Sequence, residues 1–217
     1  MQAVAPDVKP KPIPPALWLL VQLLIPIVGV LFLDWNLFGL IYLFWFELIL
    51  IGLFGLLRIL TALGGASPLQ GLLARLGSAA FFVILYGALL MIALSFSMVH
   101  MDWNSLLGEL PTDNRGLGPS TWVLAAVFLL EWLGSYIFSG QYRQAFPLLE
   151  LFRVFALTLP LAIIIVFVLS PYAQKLEGRH ANTVVVLGIL LAKTLIAFLV
   201  ERLPEAFSGI EKNQASS

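Results

Sequence analysis

The sequence predicts an all-helical integral membrane bundle of six transmembrane helices, and three observations carry that expectation. Sixty per cent of the 217 residues are hydrophobic, only 11% are charged, and the mean hydropathy is +0.98. A water-soluble domain holds about 45–50% apolar and about 25% charged residues, so the solvent this composition suits is lipid. The apolar residues fall into six runs, each close to the ~20 residues that cross a ~30 Å hydrocarbon layer. Between the runs lie the Pro, Gly, Asn and Asp residues that punctuate a chain.

Residues 1–15 read as a cytoplasmic proline-rich tail, with Pro6, Pro10, Pro12, Pro14 and Pro15. No small-residue cleavage site follows the next apolar run, so the expectation is a tail and not a signal peptide. Residues 16–202 form the membrane domain. Its first span is Ala16 to Leu33, kinked at Pro26 and Gly29. Asp34, Trp35 and Asn36 turn the chain into a second span, Leu37 to Leu60. Gly64, Gly65, Ser67 and Pro68 break it, and an amphipathic piece, Leu69 to Leu76, leads into a third span, Ser78 to Val99. The polar segment from His100 to Pro119 is the longest loop. Ser120 to Ser139, Leu151 to Ser170 (kinked at Pro160) and Thr183 to Arg202 complete the six. Residues 203–217 are a second polar tail.

Basic residues set the orientation. Lys9, Lys11, Arg58, Arg75, Arg143, Arg153, Arg202 and Lys212 fall on one side, and Arg115, Lys175 and Arg179 on the other. Loops rich in Lys and Arg stay in the cytoplasm, so both termini are expected there. Trp18, Trp35, Trp103 and Trp122 fall near the expected interfaces, where amphipathic rings settle.

Twelve basic and twelve acidic residues cancel, which leaves no net field to attract nucleic acid. The absence of cysteine excludes thiol nucleophiles, disulfides and cysteine-held clusters. His100 and His180 both fall at the outer face without a second ligand at helical spacing, so no metal site is expected. The motifs of P-loops, zinc proteases and serine hydrolases are absent, and neither a cofactor nor a catalytic site is expected.

Three charges fall where lipid would make them costly. Glu47 is the eleventh residue of the second span, Glu131 the twelfth of the fourth and Lys193 the eleventh of the sixth. At 1.5 Å per residue they lie at one depth, and each costs about 2.5–3.5 kcal/mol there if unpaired. They are therefore expected to meet, as a proton or solute relay or as a clamp that fixes helix register. Trp45 and Trp132, each within two residues of a glutamate, are candidate hydrogen-bond donors to the cluster or plain packing groups. Arg153 reads as a snorkelling anchor or an anionic-ligand site. Gly52 with Gly55, and Gly134 with Ser135, are places where another helix can approach closely.

A resemblance can be placed on the first half of the chain. Pro26 to Phe32, Trp35, the run Tyr42 to Glu47, Gly52 and Arg58 resemble a bacterial family of multi-spanning integral membrane proteins of unknown function. That family has a Tyr-Trp-x-Glu-like motif after a Pro-x-x-Gly first helix. Phe81-Phe82, Tyr86-Gly87, Ser135, Phe138, Arg153-Val154 and Lys193-Thr194 extend the likeness in order along the chain. The family pattern implies intramembrane histidines and an Asp where this chain has Leu85, Ala93, Thr158, Ala197 and Glu201, so the chain reads as a divergent member. The resemblance implies a multi-pass protein of the bacterial inner membrane.

The function expected from these readings is non-catalytic: an accessory or scaffold subunit packed against other membrane protein subunits in the lipid bilayer. The alternative is a small proton-coupled transporter or channel using Glu47, Glu131 and Lys193. A water-accessible cavity reaching the glutamates favours transport; a dry closed cluster favours the scaffold.

Overall fold

The structure is a computed structural model that describes residues 15–33, 35, 37–63, 68–100, 117–143, 145–169, 171 and 186–199. The side chains at 97–100, the long outer loop with Trp103, His180 and both tails lie outside that description, so the readings of His100 and those segments are not addressed by it. Among the described residues the chain is all helical. Six helices follow in order: α1 Pro15–Phe32, α2 Leu37–Thr61, α3 Pro68–His100, α4 Leu117–Glu131 with a π-helical continuation Trp132–Phe138, α5 Pro147–Ile163 continued as π-helix over Ile164–Leu169, and α6 Val186–Leu199.

Local chemistry accounts for the ends. Pro15, Pro68 and Pro147 open their helices at the first position, where a missing N–H removes no bond and the fixed φ suits the first turn. Gly140, at φ 76°, stops α4 in the left-handed region that only glycine enters without cost. The Trp35 N–H turns back to the Gly29 carbonyl at 3.1 Å, and a Cβ at Gly29 would sit 2.1 Å from the Trp35 ring. Glycine is therefore required for the chain to fold back beneath α1.

Four stretches, Gly39–Thr61, Leu69–Phe96, Leu117–Phe138 and Pro147–Leu169, are long and apolar enough to cross a membrane; Leu17–Phe32 and Val186–Leu199 are shorter apolar helices. The expected six spans therefore stand at four by length among the described residues. Leu69 to Leu76 leads without a break into the third span, as the first turns of α3, one helix of 33 residues. Leu69, Leu72, Leu73 and Leu76 recur at intervals of three and four, so they share one exposed face of that helix.

α2 is the axis of the bundle. It packs against α3, α4 and α5, while α1 lies on α4. Leu37, Leu40, Ile41, Phe44 and Leu48 of α2 join Leu124 and Phe128 of α4, Leu161 and Ile165 of α5, and Val186 and Leu190 of α6 in one core. A second cluster places Phe82 and Tyr86 of α3 against Ile59, Leu151 and Val154. The Tyr86 hydroxyl donates to the Leu48 carbonyl at 2.5 Å. Its ring lies where a Cβ on Gly52 would be, 2.3 Å away, so Gly52 is the notch that admits α3. The outward surface is hydrocarbon: Leu20 and Leu24 on α1, Ile84 and Met91 on α3, Leu130 on α4, Phe152 and Phe167 on α5, Leu191 and Leu195 on α6. So large an apolar surface is not left to water by a soluble protein. These helices would sit in a lipid bilayer.

Candidate functional site: a charged chamber inside the bundle

A partly open cavity of about 100 Å³ lies between the helices, lined from α1, α2, α4, α5 and α6. Six ionisable side chains face it: Glu47 and Arg58 from α2, Glu131 from α4, Glu150 and Arg153 from α5, and Lys193 from α6. On α2 the lining residues are Glu47, Ile51, Phe54, Gly55 and Arg58, spaced by three and four, so one helical stripe carries them all. Glu47 and Arg58 are eleven residues apart, about three turns, which sets them on one face about 16 Å apart along the axis. On α5, Glu150, Arg153, Val154, Leu157, Leu161 and Ile164 repeat the pattern.

The charges form two layers. In the middle layer the Lys193 ammonium is paired with the Glu47 carboxylate, and Lys193 Nζ also lies 5.0 Å from the centre of the Phe44 ring. The Glu47 side chain is 4% exposed and that of Lys193 14%. In the second layer Arg58 Nη2 lies 3.2 Å from Glu131 Oε1 and Arg58 Nη1 4.0 Å from Glu150 Oε2. Arg153 Nη1 is 3.9 Å from the same Glu150 oxygen, and Gln22 of α1 donates to Glu131 at 3.4 Å. The guanidinium of Arg58 is 4.9 Å from the centre of the Tyr136 ring, whose hydroxyl donates to the Arg58 carbonyl at 2.9 Å.

The three charges expected at one depth are thus brought into one chamber but not into one cluster. Lys193 meets Glu47, while Glu131 is held by Arg58 three turns further along α2. The equal-depth argument counted each span from its first residue. α4 begins at Leu117, three residues earlier than expected, which accounts for about 4.5 Å; the rest lies in the offset of α4 along α2, which brings Glu131 to the Arg58 guanidinium. Arg58, counted from sequence among the basic residues of the cytoplasmic side, is 9% exposed. Glu150, one residue short of the expected fifth span, is buried within α5, which begins at Pro147. The signal for both was present: an acid in the first turn after a proline, and a base on the helical stripe of Glu47.

The supporting residues separate. Trp45 packs against Ala93, Ala162 and Val166, an apolar role. Trp132 stacks obliquely on Phe54, 6.3 Å between centroids. Its indole Nε1 is buried with no hydrogen-bond partner, as is Glu150 Oε2, so the expected Trp–Glu hydrogen bond is not made by Trp132. Trp18, expected only at an interface, donates to Ser135 Oγ at 3.0 Å and ties α1 to α4. Gly55 receives Val154 of α5, whereas Gly134 has open space beside it.

Chemically, the chamber offers three carboxylates, one ammonium and two guanidiniums around free volume large enough for several waters. The arginines stay charged, so any proton exchange would run through the carboxylates, the lysine and water. No curated protein and no solved structure matches the chain. The match that is found is to the model of a Family of unknown function (DUF6498), over residues 7–214, nearly the whole sequence, and the chain belongs to that family.

Proposed function

We propose that the protein is a proton-coupled transporter or channel for a small solute, built as a six-span bundle of the bacterial inner membrane with both termini in the cytoplasm. The observation that carries this reading is the chamber, which touches both charged layers. A packing clamp needs no free volume, and a buried ion pair replaced by well-packed apolar groups is often no less stable. A bundle that keeps six charges around a void is arranged for something beyond stability. The orientation rests on the basic residues. With Arg58 and Arg153 turned into the chamber, the count is six against three, still in favour of cytoplasmic termini.

One feature favours the accessory-subunit reading: the middle pair is closed, and a closed pair can serve simply to fix register. Flux decides. The full chain is reconstituted into vesicles holding a pH-sensitive dye, and a proton gradient is applied with charge compensation. Wild type is expected to acidify the lumen. Glu131→Gln, which keeps the shape and an acceptor for Arg58 but has no proton to release, is expected to fall to the level of empty vesicles. Equal acidification by both proteins, or none by either, would remove the transport reading and return the protein to a structural role.

A further inference from the structure

The chamber occupies one half of the bundle only. Its lining starts at the Lys193–Glu47 pair and runs toward the end where α2 stops and α5 starts. At that end Arg58 lies three residues before the last residue of α2 and Glu150 three after the first of α5. The second charged layer is therefore within about one turn of the helix ends. The most exposed of the six charged side chains, Arg153 at 26% and Glu131 at 20%, both belong to it, against 4% for Glu47. Partly exposed charges turn to water, because hydrocarbon penalises them heavily.

On the other side of the pair the bundle is filled. Leu40 and Phe44 of α2, Leu124 of α4, Ile165 of α5 and Leu190 of α6 pack into one core, each no more than 1% exposed. None of them lines the chamber. From Leu37 to Phe44 this apolar layer is about 10 Å thick along α2. The Phe44 ring belongs to the layer and also lies 5.0 Å from Lys193 Nζ, so the ion pair and the apolar layer form one continuous barrier. An apolar constriction of this kind excludes water, and ions with it.

We infer that the chamber is a half-channel: water and small hydrophilic solutes enter it from the membrane face at the end of α2, and the Lys193–Glu47 pair with the apolar layer closes the way to the other face. The inference draws on the transport reading for its purpose, since the barrier is then the gate that transport must open. In the orientation proposed above, the open face is the cytoplasmic one.

The chain has no cysteine, so single cysteines report water access point by point. Leu190, Thr194 and Ala197 are spaced by four and three and share one stripe of α6. Thr194 and Ala197 line the chamber, while Leu190 belongs to the apolar layer. Full-length variants with Thr194→Cys, Ala197→Cys or Leu190→Cys are treated with a small charged methanethiosulfonate that does not cross membranes. It is applied to intact cells and to inside-out vesicles, and the mass of the protein reads the label. The thiolate is the form that reacts, so a cysteine sealed from water stays unmodified. Labelling of Thr194→Cys and Ala197→Cys is expected in inside-out vesicles alone, and Leu190→Cys is expected to lose it from both faces. Leu40→Cys, in the same layer on α2, is expected to behave as Leu190→Cys and replaces it if that variant does not fold. If neither folds, the sidedness of the two chamber positions decides alone. Labelling of the chamber positions from both faces or from neither overturns the inference, as does labelling of Leu190→Cys or Leu40→Cys as complete as that of Ala197→Cys. Labelling in intact cells alone keeps the half-channel and reverses the orientation. One-sided labelling without proton flux keeps the half-channel as a dead-end pocket and removes the transport reading. Flux with a labelled apolar layer does the opposite.

Discussion

The two charged layers are built from the same residue types, yet they differ in closure. In the middle layer one lysine meets one glutamate, both nearly dry, with an aromatic ring over the ammonium. In the second layer four charges share contacts of 3.2–4.0 Å, and one carboxylate oxygen has no hydrogen bond. A close pair is satisfied and gains little from moving. A loose network with an orphan atom has alternatives of similar energy, so protonation or a bound solute can rearrange it. On the transport reading proposed above, the middle layer would hold the bundle together and the second layer would be the place of exchange.

The largest test of that division is Lys193→Met. Breaking a buried pair by removing one partner costs about 3–5 kcal/mol, less what protonating the remaining carboxylate recovers. The loss is expected in detergent denaturation of the purified protein. Adding Glu47→Gln should restore part of it, whereas adding Glu131→Gln should not, because the two pairs are separate and their effects add. Rescue by Glu131→Gln would merge the layers and end the comparison.

A smaller cost is expected in the second layer. Glu150→Gln removes a charge whose contacts with Arg58 and Arg153 are both long. Arg58 keeps Glu131, and the Arg153 side chain is 26% exposed, so water recovers part of the loss. The expected destabilisation is about 1–2 kcal/mol, read by the same denaturation. A cost equal to that of Lys193→Met would show the second layer to be as closed as the first.

The helical class of the fold was legible from composition and from the six apolar runs, because burial in lipid leaves its mark on every residue of a helix. The contacts inside the bundle were less so. Depth was counted from span starts taken to be level, and the offset of α4 along α2 brings Glu131 to Arg58 instead of to Lys193. Arg58 itself sits near a helix end, where an arginine reads as a snorkelling anchor; only its three-turn spacing from Glu47 shows that it faces inward. The notch at Gly52 was legible as a place of close approach, but the sequence does not say that Tyr86 fills it. Pairing between helices is a property of their rotation and offset, and one sequence without structure does not fix either.

Tyr136→Phe probes how firmly the second layer is anchored. It deletes the hydroxyl that donates to the Arg58 carbonyl and keeps the ring beside the guanidinium. The expected cost is that of one buried hydrogen bond, about 1 kcal/mol. If the ring holds Arg58 in place, proton flux should persist with only this loss of stability. Loss of flux at unchanged stability would instead make the hydroxyl a member of the path.

The smallest effect, and one of opposite sign, is expected for Trp132→Phe. A buried indole N–H with no partner has given up its water without a replacement bond, so removing it relieves a penalty, while phenylalanine still reaches the stack with Phe54. The lost ring volume costs something in return, since the partly buried indole is larger than the phenyl that replaces it. The two terms are of similar size, and the net change in stability of the solute-free protein is expected between zero and a gain of about 1 kcal/mol. In the Lys193–Glu47 layer removing one partner is expected to be strongly destabilising, so the two substitutions together separate a satisfied buried pair from an unsatisfied buried donor. Denaturation of the solute-free variant reads the difference. A loss of 2 kcal/mol or so, the usual scale for breaking a satisfied buried hydrogen bond to a charged group, would mean that Trp132 Nε1 already has its partner in the resting protein, and that the second layer is as complete as the first.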